Sequence, residues 1–386
     1  MAAGEVSGDR QAGDLARAIL VLRPDAVLFG TGGEQMRQAG VNLLIQSSQY
    51  GSAGIQESFR YIRPLWHVMS ELRDVVRATK PDLAVLVDSE GFNTLFAGHL
   101  YSRGMPFIFY FPPQVWVWGE WRARTIARRA RVIIPAFKME AEIYRREGGN
   151  VAWFGHPLLD IVQKEPDADR VLASYGLDPE APTMGIMPGS RFHEIEQLLP
   201  ILLAATRIVQ RKVPSVQVIL PLAAPHLRDS VMKGLAAHGM MRDVTVVSDR
   251  IYACLSKCRV VMLSSGTATV ELSLLGIPMV VGYKVSRMTH ALARPLIKAR
   301  YLAMPNVLLD REAVPEFLQY EATPDAFARE ALRLLLDRDS SARTLQDLAQ
   351  VRALLGEPGA TTRTANLVLA EAERCIPVNK SVAVPV

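Results

Sequence analysis

The chain has 386 residues, of which 49% are hydrophobic, and it carries a net charge of +5 with a pI near 9.1. This length exceeds the size at which one core keeps growing, so two domains are expected, and the composition excludes a disordered chain. The sequence has neither an apolar run of the ~18 residues that span a bilayer nor a signal peptide; we expect a cytoplasmic protein whose charge favours an acidic partner.

Short β-rich segments alternate with longer amphipathic segments. The predicted strands are 26–29, 83–87, 107–111, 132–135, 183–187, 216–221, 244–247, 260–263 and 278–283. This alternation is typical of the α/β class, with parallel sheets covered by helices on both faces.

The pattern predicts two α/β domains and a C-terminal extension. The domains are expected at 1–163 and 170–360, separated by a polar stretch that contains Pro166. A helix at 361–374 is expected to pack back on the N-terminal domain, and the tail at 375–386 is expected to be loosely held.

The motif GEVSGD, residues 4–9, has the composition of a turn after a first strand, but only three residues precede it. Three residues are short for a strand inside a sheet. We therefore expect that the assigned start is too late or that this strand is truncated.

The stretch PGSR, residues 188–191, follows a predicted strand and precedes a helical pattern. Gly189 lets the backbone approach a ligand, Ser190 can cap the following helix, and free N–H groups at that helix start favour an anion. Arg191 adds a bidentate donor for phosphate oxygens. An ordinary βα turn with a surface arginine is the alternative interpretation.

A second turn of this kind lies in SSGTATVE, residues 264–271. Ser265, Gly266 and Thr267 offer N–H and O–H groups to phosphate, and the Glu271 carboxylate can accept both hydroxyls of a ribose. Ligands of open α/β sheets bind at the carboxyl ends of the strands. Two such turns in one domain therefore predict a nucleotide site.

Six motifs, in this order, resemble those of the lipid-A-disaccharide synthase family: GEVSGD (4–9), PQVWVW (113–118), FGHPLLD (154–160), PGSRFHEIEQLLP (188–200), SSGTATVE (264–271) and MPNVLLDRE (304–312). The resemblance runs essentially end to end. It implies the GT-B fold of glycosyltransferases, in which two Rossmann-like domains with parallel sheets face a central cleft. The N-terminal domain would bind the acceptor and the C-terminal domain the UDP-sugar.

The resemblance also implies a reaction. An inverting transfer would join UDP-2,3-diacylglucosamine to 2,3-diacylglucosamine 1-phosphate (lipid X), giving the β-1,6-linked lipid A disaccharide 1-phosphate and UDP. Ser190 and Arg191 would contact the diphosphate, Glu271 the ribose, and Thr267 with Asn306 the rest of the nucleotide.

The same resemblance places Glu5 and Ser7 near the acceptor or the reacting centre. GT-B enzymes generally use helix N-termini and basic side chains in place of a divalent metal, and this sequence has no DxD motif. Cys254 and Cys258 lie four apart but have no nearby partners for a zinc site. We expect no metal, no cofactor and metal-independent turnover.

The segment DSEGFN, residues 88–93, departs from the family pattern Asp-x-Pro-Asp-Phe-Asn, whose second Asp is thought to be essential. Gly91 stands in its place. Inversion requires a carboxylate or His that takes the proton of the acceptor 6-hydroxyl, and Glu90 and Asp88 are the candidates. Three outcomes stay open: an active enzyme using Glu90 or Asp88, altered acceptor choice, or a paralogue that has lost the reaction. Another UDP-sugar transferase or epimerase on the same fold is a further alternative.

The segment 55–72 is the candidate membrane face, because Phe59, Ile62, Trp66 and Met69 recur at helical spacing near two arginines. Lipidic substrates have to be collected from a membrane, which suits an interfacial helix. A core-facing helix is the alternative for most of these residues, with Trp66 exposed. We expect peripheral association with the inner face of the cytoplasmic membrane, and the resemblance permits a homodimer.

Trp116, Trp118 and Trp121 precede the arginine-rich segment 122–131. Aromatic residues among arginines can indicate nucleic-acid stacking. Because the tryptophans belong to a family motif, we favour a basic helix near an anionic membrane or a phosphorylated acceptor, and no nucleic-acid partner. His156 is interpreted as a structural histidine that fixes a turn, with a catalytic role as the alternative.

Overall fold

The computed structural model describes residues 1–4, 6–46, 55–163, 165–286 and 299–376. The chain divides into two compact units. The N-terminal unit contains Met1–Asp160 and the described residues from Leu355 onward, and the C-terminal unit contains the described residues of Ile161–Leu354. Each unit is built on a six-stranded parallel sheet with helices, which confirms the predicted α/β class.

The N-terminal unit has its strands in the spatial order β3-β2-β1-β4-β5-β6. These are β1 (Ala2–Ala3), β2 (Phe29–Gly32), β3 (Asn42–Gln46), β4 (Ala84–Val87), β5 (Phe107–Tyr110) and β6 (Val132–Ile134). The helices are α1 (Val6–Leu22), α2 (Glu34–Gln38), α3 (Ile55–Thr79), α4 (Glu90–Ser102), α5 (Arg122–Arg129), α6 (Lys138–Arg146) and α7 (Leu158–Ile161), the last crossing the division between units.

The C-terminal unit has the spatial order β12-β11-β10-β7-β8-β9. Its strands are β7 (Thr183–Met187), β8 (Gln217–Pro221), β9 (Thr245–Val247), β10 (Cys258–Ser264), β11 (Met279–Tyr283) and β12 (Glu316–Leu318). Its helices are α8 (Ala168–Ser174), α9 (Phe192–Lys212), α10 (Arg228–Ala237), α11 (Ile251–Ser256), α12 (Thr267–Leu275), α13 (Met304–Leu309), α14 (Pro324–Leu336) and α15 (Arg338–Leu354).

A last helix, α16 (Ala360–Cys375), returns to the N-terminal unit and packs against α1. Two ion pairs hold it there: Arg131 contacts Glu371, and Arg23 contacts Glu373. Among the described residues, no helix is both long enough and apolar enough to cross a membrane.

Strand β1 spans two residues, yet it lies between β2 and β4 in the interior of its sheet. Both of its residues are buried, Ala2 in the hydrophobic cluster on one face and Ala3 in the cluster on the other. Alternate residues of a strand point to opposite faces, so even this short strand contributes to both layers of the core.

Two strands, β3 and β12, were not predicted from the sequence, and each is the outermost strand at one edge of its sheet. All three residues of β12 are only partly buried, and Leu44 of β3 is 42% exposed. These two edge strands bury little apolar area, so their sequences carry a weak hydrophobic signal. The strand predicted at 26–29 begins instead at Phe29.

Each sheet has one switch point, where chain order proceeds in opposite directions on its two sides. In the N-terminal unit it lies between β1 and β4, and in the C-terminal unit between β7 and β10. Ligand crevices of parallel α/β sheets form at the carboxyl ends of the strands beside such a point. The motifs GEVSGD and DSEGFN follow the first pair, and PGSR and SSGT follow the second.

Candidate functional site

The turns PGSR and SSGT, which were predicted to bind phosphate, begin side by side at the carboxyl edge of the C-terminal sheet. Strands β7 and β10 are parallel neighbours, and Leu263 pairs with Met187 near their carboxyl ends. PGSR starts directly after Met187, and SSGT starts with the last residue of β10, Ser264. The structure therefore brings together two turns that lie more than seventy positions apart in sequence.

An internal carboxylate fills part of the PGSR turn. The Ser190 N–H donates to Glu194 Oε2 at 2.8 Å, and Arg191 NH1 donates to Glu194 Oε1 at 2.9 Å. Gly189 has φ +130°, and a Cβ there would overlap Glu194. The predicted capping by the Ser190 side chain is wrong, because Arg191 occupies the N-cap of α9 with no side-chain cap, and Glu194 reaches back from the first turn instead.

The SSGT turn presents its small residues to solvent. Gly266 is the N-cap of α12, and both Gly266 and Thr267 are exposed. The Ser265 hydroxyl donates to the Leu302 carbonyl at 2.8 Å, which ties the turn to the chain that precedes α13. The turn therefore offers an open helix N-terminus, which favours a phosphate group.

Glu271 lies in the second turn of α12 and is partly buried. Its Oε1 accepts a hydrogen bond of 2.8 Å from the Tyr252 hydroxyl, which comes from α11. Sequence reasoning missed Tyr252. The only signal available was its position shortly after a strand, at the sheet edge where ligands bind.

Asn306 has a structural role in place of the predicted contact with the nucleotide. Its side chain is fully buried. Its amide oxygen accepts from the N–H groups of residues 313–314 at 2.8 and 2.9 Å, and its nitrogen donates to Glu316 Oε2 at 3.1 Å. Glu316 Oε1 in turn accepts from Leu302 N at 2.7 Å. Because Leu302 also holds Ser265, Asn306 supports the SSGT turn indirectly, and we correct the prediction accordingly.

At the switch point of the N-terminal unit, the first turn and the DSEGFN turn are in direct contact. The Ser7 hydroxyl donates to Asp88 Oδ2 at 2.9 Å. A Cβ at Gly4 would overlap the Ser89 side chain. Asp88 and Ser89 both have φ +53°, a left-handed conformation that is costly for residues other than glycine and is concentrated at functional sites. Glu5 lies outside the described residues.

A buried amide holds the two central strands of this unit together. Asn93 is fully buried, and its Nδ2 lies 2.8 to 3.1 Å from the carbonyl oxygens of Ala2, Val87 and Asp88. These carbonyls belong to β1, to the end of β4 and to the strained turn. Asn93 therefore fixes the backbone that carries the Asp88 carboxylate.

Glu90 begins α4, and an arginine engages its carboxylate. Arg122 forms an ion pair with Glu90, and its guanidinium carbon lies 3.7 Å from the ring centroid of Trp118. The same arginine donates to the Trp118 carbonyl at 3.0 Å. Gly91, next to Glu90, is exposed, and a Cβ built there meets no atom within 4 Å. A side chain at position 91 can therefore begin without its first carbon meeting a neighbour.

A second carboxyl group, Glu140 on α6, was missed by sequence reasoning. It is 2% exposed and accepts hydrogen bonds from Trp116 Nε1 at 3.0 Å and from the Phe137 N–H at 3.3 Å. Burial raises the pKa of Glu140 to about 7; these hydrogen bonds oppose the shift, and the charge of Asp88 adds to it. Glu140 thus anchors the PQVWVW motif to α6.

His156 is a structural residue, as its preferred interpretation proposed. It is 3% exposed, its Nδ1 accepts from the Leu158 N–H at 3.1 Å, and its ring packs against Phe137 and Phe111. Burial lowers the pKa of His156 to about 3, so the imidazole is neutral near pH 7.

The candidate membrane residues on α3 are placed differently from one another. Trp66 is 59% exposed, as expected. Met69 is 3% exposed and packs in the core of the N-terminal unit, so its predicted lipid contact is wrong and the core-facing alternative holds. The side chains of Phe59 and Ile62 lie outside the described part of the structure.

Helix α3 contacts α4, and α4 contacts α5. These neighbouring helices carry further large apolar side chains that are exposed. Leu95 and Tyr101 on α4 are 63% and 54% exposed, and Trp121, just before α5, is 78% exposed.

In the described ranges, no group of three or more His, Cys, Asp or Glu side chains could hold a metal ion.

Comparison with known proteins agrees with this arrangement. Residues 1–370 match the family model described as lipid-A-disaccharide synthetase. The lipid-A-disaccharide synthase of Geobacter sulfurreducens is 38% identical over 367 residues, 95% of each chain. The Staphylococcus aureus MnaA–UDP structure has a TM-score of 0.66 at 11% identity, covering 97% of this chain and 96% of its own.

A second solved structure, the glycotransferase of kitacinnamycin, has a TM-score of 0.60 at 15% identity and covers 96% of both chains. At these identities the two structures show the fold alone, the GT-B arrangement of two α/β units. The family match spans both switch points and the turns that follow them. The chain belongs to the lipid-A-disaccharide synthetase family.

Proposed function

We propose that this chain is a glycosyltransferase that joins UDP-2,3-diacylglucosamine to 2,3-diacylglucosamine 1-phosphate, forming lipid A disaccharide 1-phosphate and UDP. The observation that carries the proposal is that each unit has a polar site at the switch point of its own sheet. One site has the groups that a nucleotide diphosphate needs, and the other has a positioned carboxylate. A transferase with two substrates requires both.

In the proposed reaction, the acceptor 6-hydroxyl oxygen attacks the anomeric carbon of the donor sugar from the face opposite UDP. The new carbon–oxygen bond forms as the bond to the diphosphate breaks, and UDP leaves with that electron pair. The hydroxyl proton passes to a carboxylate, which contributes roughly 10²- to 10⁴-fold to such a rate.

Asp88 is the proton acceptor that we propose. Ser7 orients its carboxylate, Asn93 fixes its backbone, and its left-handed conformation is typical of functional positions. Glu90, the other candidate, is paired with Arg122 and directed toward the segment that follows Trp118. The geometry supports Asp88 over Glu90.

In the C-terminal unit, the diphosphate would lie against the N-termini of α9 and α12. Arg191 supplies a cationic donor, and Gly266 with Thr267 supplies exposed donors at the helix start. Glu271 would accept the ribose hydroxyls. In this proposal, Arg191 and the helix N-termini stabilise the negative charge of the leaving diphosphate, which is the task that a divalent metal performs in other transferases.

The exposed apolar surface of α3, α4 and the start of α5 is where we propose that the enzyme meets the membrane. Trp66, Leu95, Tyr101 and Trp121 are exposed large apolar side chains of these segments, and exposed arginines of α5 can contact anionic head groups. We expect the double variant Trp66→Ser/Trp121→Ser to sediment less with phosphatidylglycerol vesicles than the wild type. Tyr320→Ser, which alters a 70% exposed aromatic residue in the other unit, is the matched control; equal sedimentation of all three proteins would refute this assignment.

Single-turnover formation of radiolabelled disaccharide from the two substrates, in detergent with EDTA, tests the function. We expect product with the wild-type chain, a rate roughly 10²- to 10⁴-fold lower for Asp88→Asn, and a rate within about tenfold of wild type for Glu90→Gln. The reverse order of the two variants would identify Glu90 as the base. UDP binding without product would refute the proposed reaction and favour the altered or inactive enzyme to which Gly91 points.

A further inference from the structure

The contact between Tyr252 and Glu271 joins two successive helices, α11 and α12, whose preceding strands β9 and β10 are not neighbours in the sheet. Tyr252 lies on α11, which follows β9, and Glu271 lies on α12, which follows β10. The phenol hydroxyl donates to the carboxylate at 2.8 Å, a normal length for an O–H···O hydrogen bond. Both side chains are partly buried, at the edge of the sheet where the turns PGSR and SSGT also lie.

The helix that carries Tyr252 is itself held firmly. Arg250, at the N-cap of α11, donates to Glu165 at 2.7 Å and to Asp167 at 2.6 Å. The next turn buries Ala253, Cys254 and Leu255 in the unit. The backbone that carries Tyr252 is therefore held at its N-terminal end by ion pairs and along one face by packing.

We infer that Tyr252 is a positioning residue of the nucleotide site, which fixes the Glu271 carboxylate in the orientation that accepts the ribose hydroxyls. This inference rests on the proposed function, in which Glu271 binds the ribose. An ionised carboxylate has about four lone-pair directions, of which the hydrogen bond from Tyr252 occupies one. A carboxylate that is already oriented loses less side-chain freedom when the ligand binds.

The test measures the binding of UDP and of 2′,3′-dideoxy-UDP to the purified full-length chain by calorimetry. We expect Tyr252→Phe to weaken UDP binding roughly three- to tenfold, the effect of ordering one long side chain. The dideoxy analogue lacks the hydroxyls that would donate hydrogen bonds to Glu271. Tyr252→Phe should therefore change the affinity for this analogue by less than about twofold. The preference for UDP over its analogue should therefore shrink by the same factor as the UDP affinity.

Tyr175→Phe is the matched control. The Tyr175 hydroxyl bonds the backbone of Asp249 at 3.1 and 3.2 Å, close in sequence to α11, but it does not contact Glu271. We expect this variant to keep the wild-type preference. In a Glu271→Ala background, which removes the acceptor, Tyr252→Phe should change UDP binding by less than about twofold.

The possible outcomes separate the inference from the proposed function. A wild-type chain that does not bind UDP would refute the proposed nucleotide site and this inference with it. UDP binding that Tyr252→Phe leaves unchanged would refute the inference alone. Equal weakening of UDP and the dideoxy analogue would do the same, because it would show a general structural role for Tyr252.

Discussion

Replacing Glu140 with Gln should change how the stability of the N-terminal unit depends on pH. Burial raises the pKa of Glu140 from 4.5 to about 7 in the folded chain. The folded chain therefore keeps this proton over a range in which the unfolded chain has lost it. The stabilisation is fully present below about pH 4.5 and is lost as the pH rises through 7.

The size of the effect follows from the shift of pKa. A change of one pKa unit is equivalent to about 1.4 kcal/mol. The contribution of Glu140 to the free energy of unfolding should therefore fall by about 3 kcal/mol between pH 4.5 and pH 8. Glu140→Gln has no proton to lose. The difference between wild type and variant should therefore fall by this amount, and comparing the two proteins at each pH cancels most other titrating groups.

Urea unfolding followed by tryptophan fluorescence measures this difference, since Trp116 donates directly to Glu140. Glu142→Gln, at an exposed position of the same helix, is the control, and its difference from wild type should vary by less than about 0.5 kcal/mol. A Glu140→Gln difference that is the same at pH 4.5 and pH 8 would refute the reasoning, because it would mean that the folded and unfolded chains titrate Glu140 alike.

Other substitutions test the catalytic turn and its supports. Gly91→Asp should leave the free energy of unfolding within about 1 kcal/mol of wild type, because the site is open and an acid suits the first turn of α4. If Asp88 is the base, the rate of this variant should differ from wild type by less than about tenfold. A gain above about a hundredfold would show that Gly91 impairs the natural enzyme. Ser7→Ala should lower the rate about tenfold by releasing the Asp88 carboxylate, and a rate equal to wild type would argue against that role. Asn306→Ala should lower the free energy of unfolding of its unit by about 2–4 kcal/mol in urea titrations, because several buried hydrogen bonds are lost together. Turnover should persist in EDTA; activity lost with EDTA and restored by magnesium would contradict metal independence.

The α/β class and most central strands could be predicted because buried parallel strands are continuous apolar runs. The edge strands β3 and β12 could not, since their residues remain partly exposed. The PGSR and SSGT turns could be located because each has a glycine beside a hydrogen-bond donor directly after a strand, and this pattern is local in sequence. The helical spacing of Met69 is also local, but periodicity alone does not say which side of a helix meets the core.

The side-chain pairs of the site were beyond the reach of the sequence. Tyr252 and Glu271 are 19 positions apart, and Trp116 and Glu140 are 24 apart, and neither pair follows a repeating spacing. Such contacts depend on how the loops after different strands converge. Asn306 belongs to a family motif, yet only the structure shows that its polar atoms are bonded to the chain itself.

The carboxylate of Glu194 has a consequence for how the PGSR turn selects its ligand. Because Glu194 already bonds Ser190 and Arg191, an entering anion exchanges one negative partner for another. The net free energy of binding is then the difference between the bonds that the anion forms and the bonds that Glu194 loses. A small ion such as chloride gains little from this exchange. In the proposed function, a diphosphate also contacts Gly266 and so gains more than a small anion does. We therefore expect cellular salt to compete with the nucleotide only weakly at this turn.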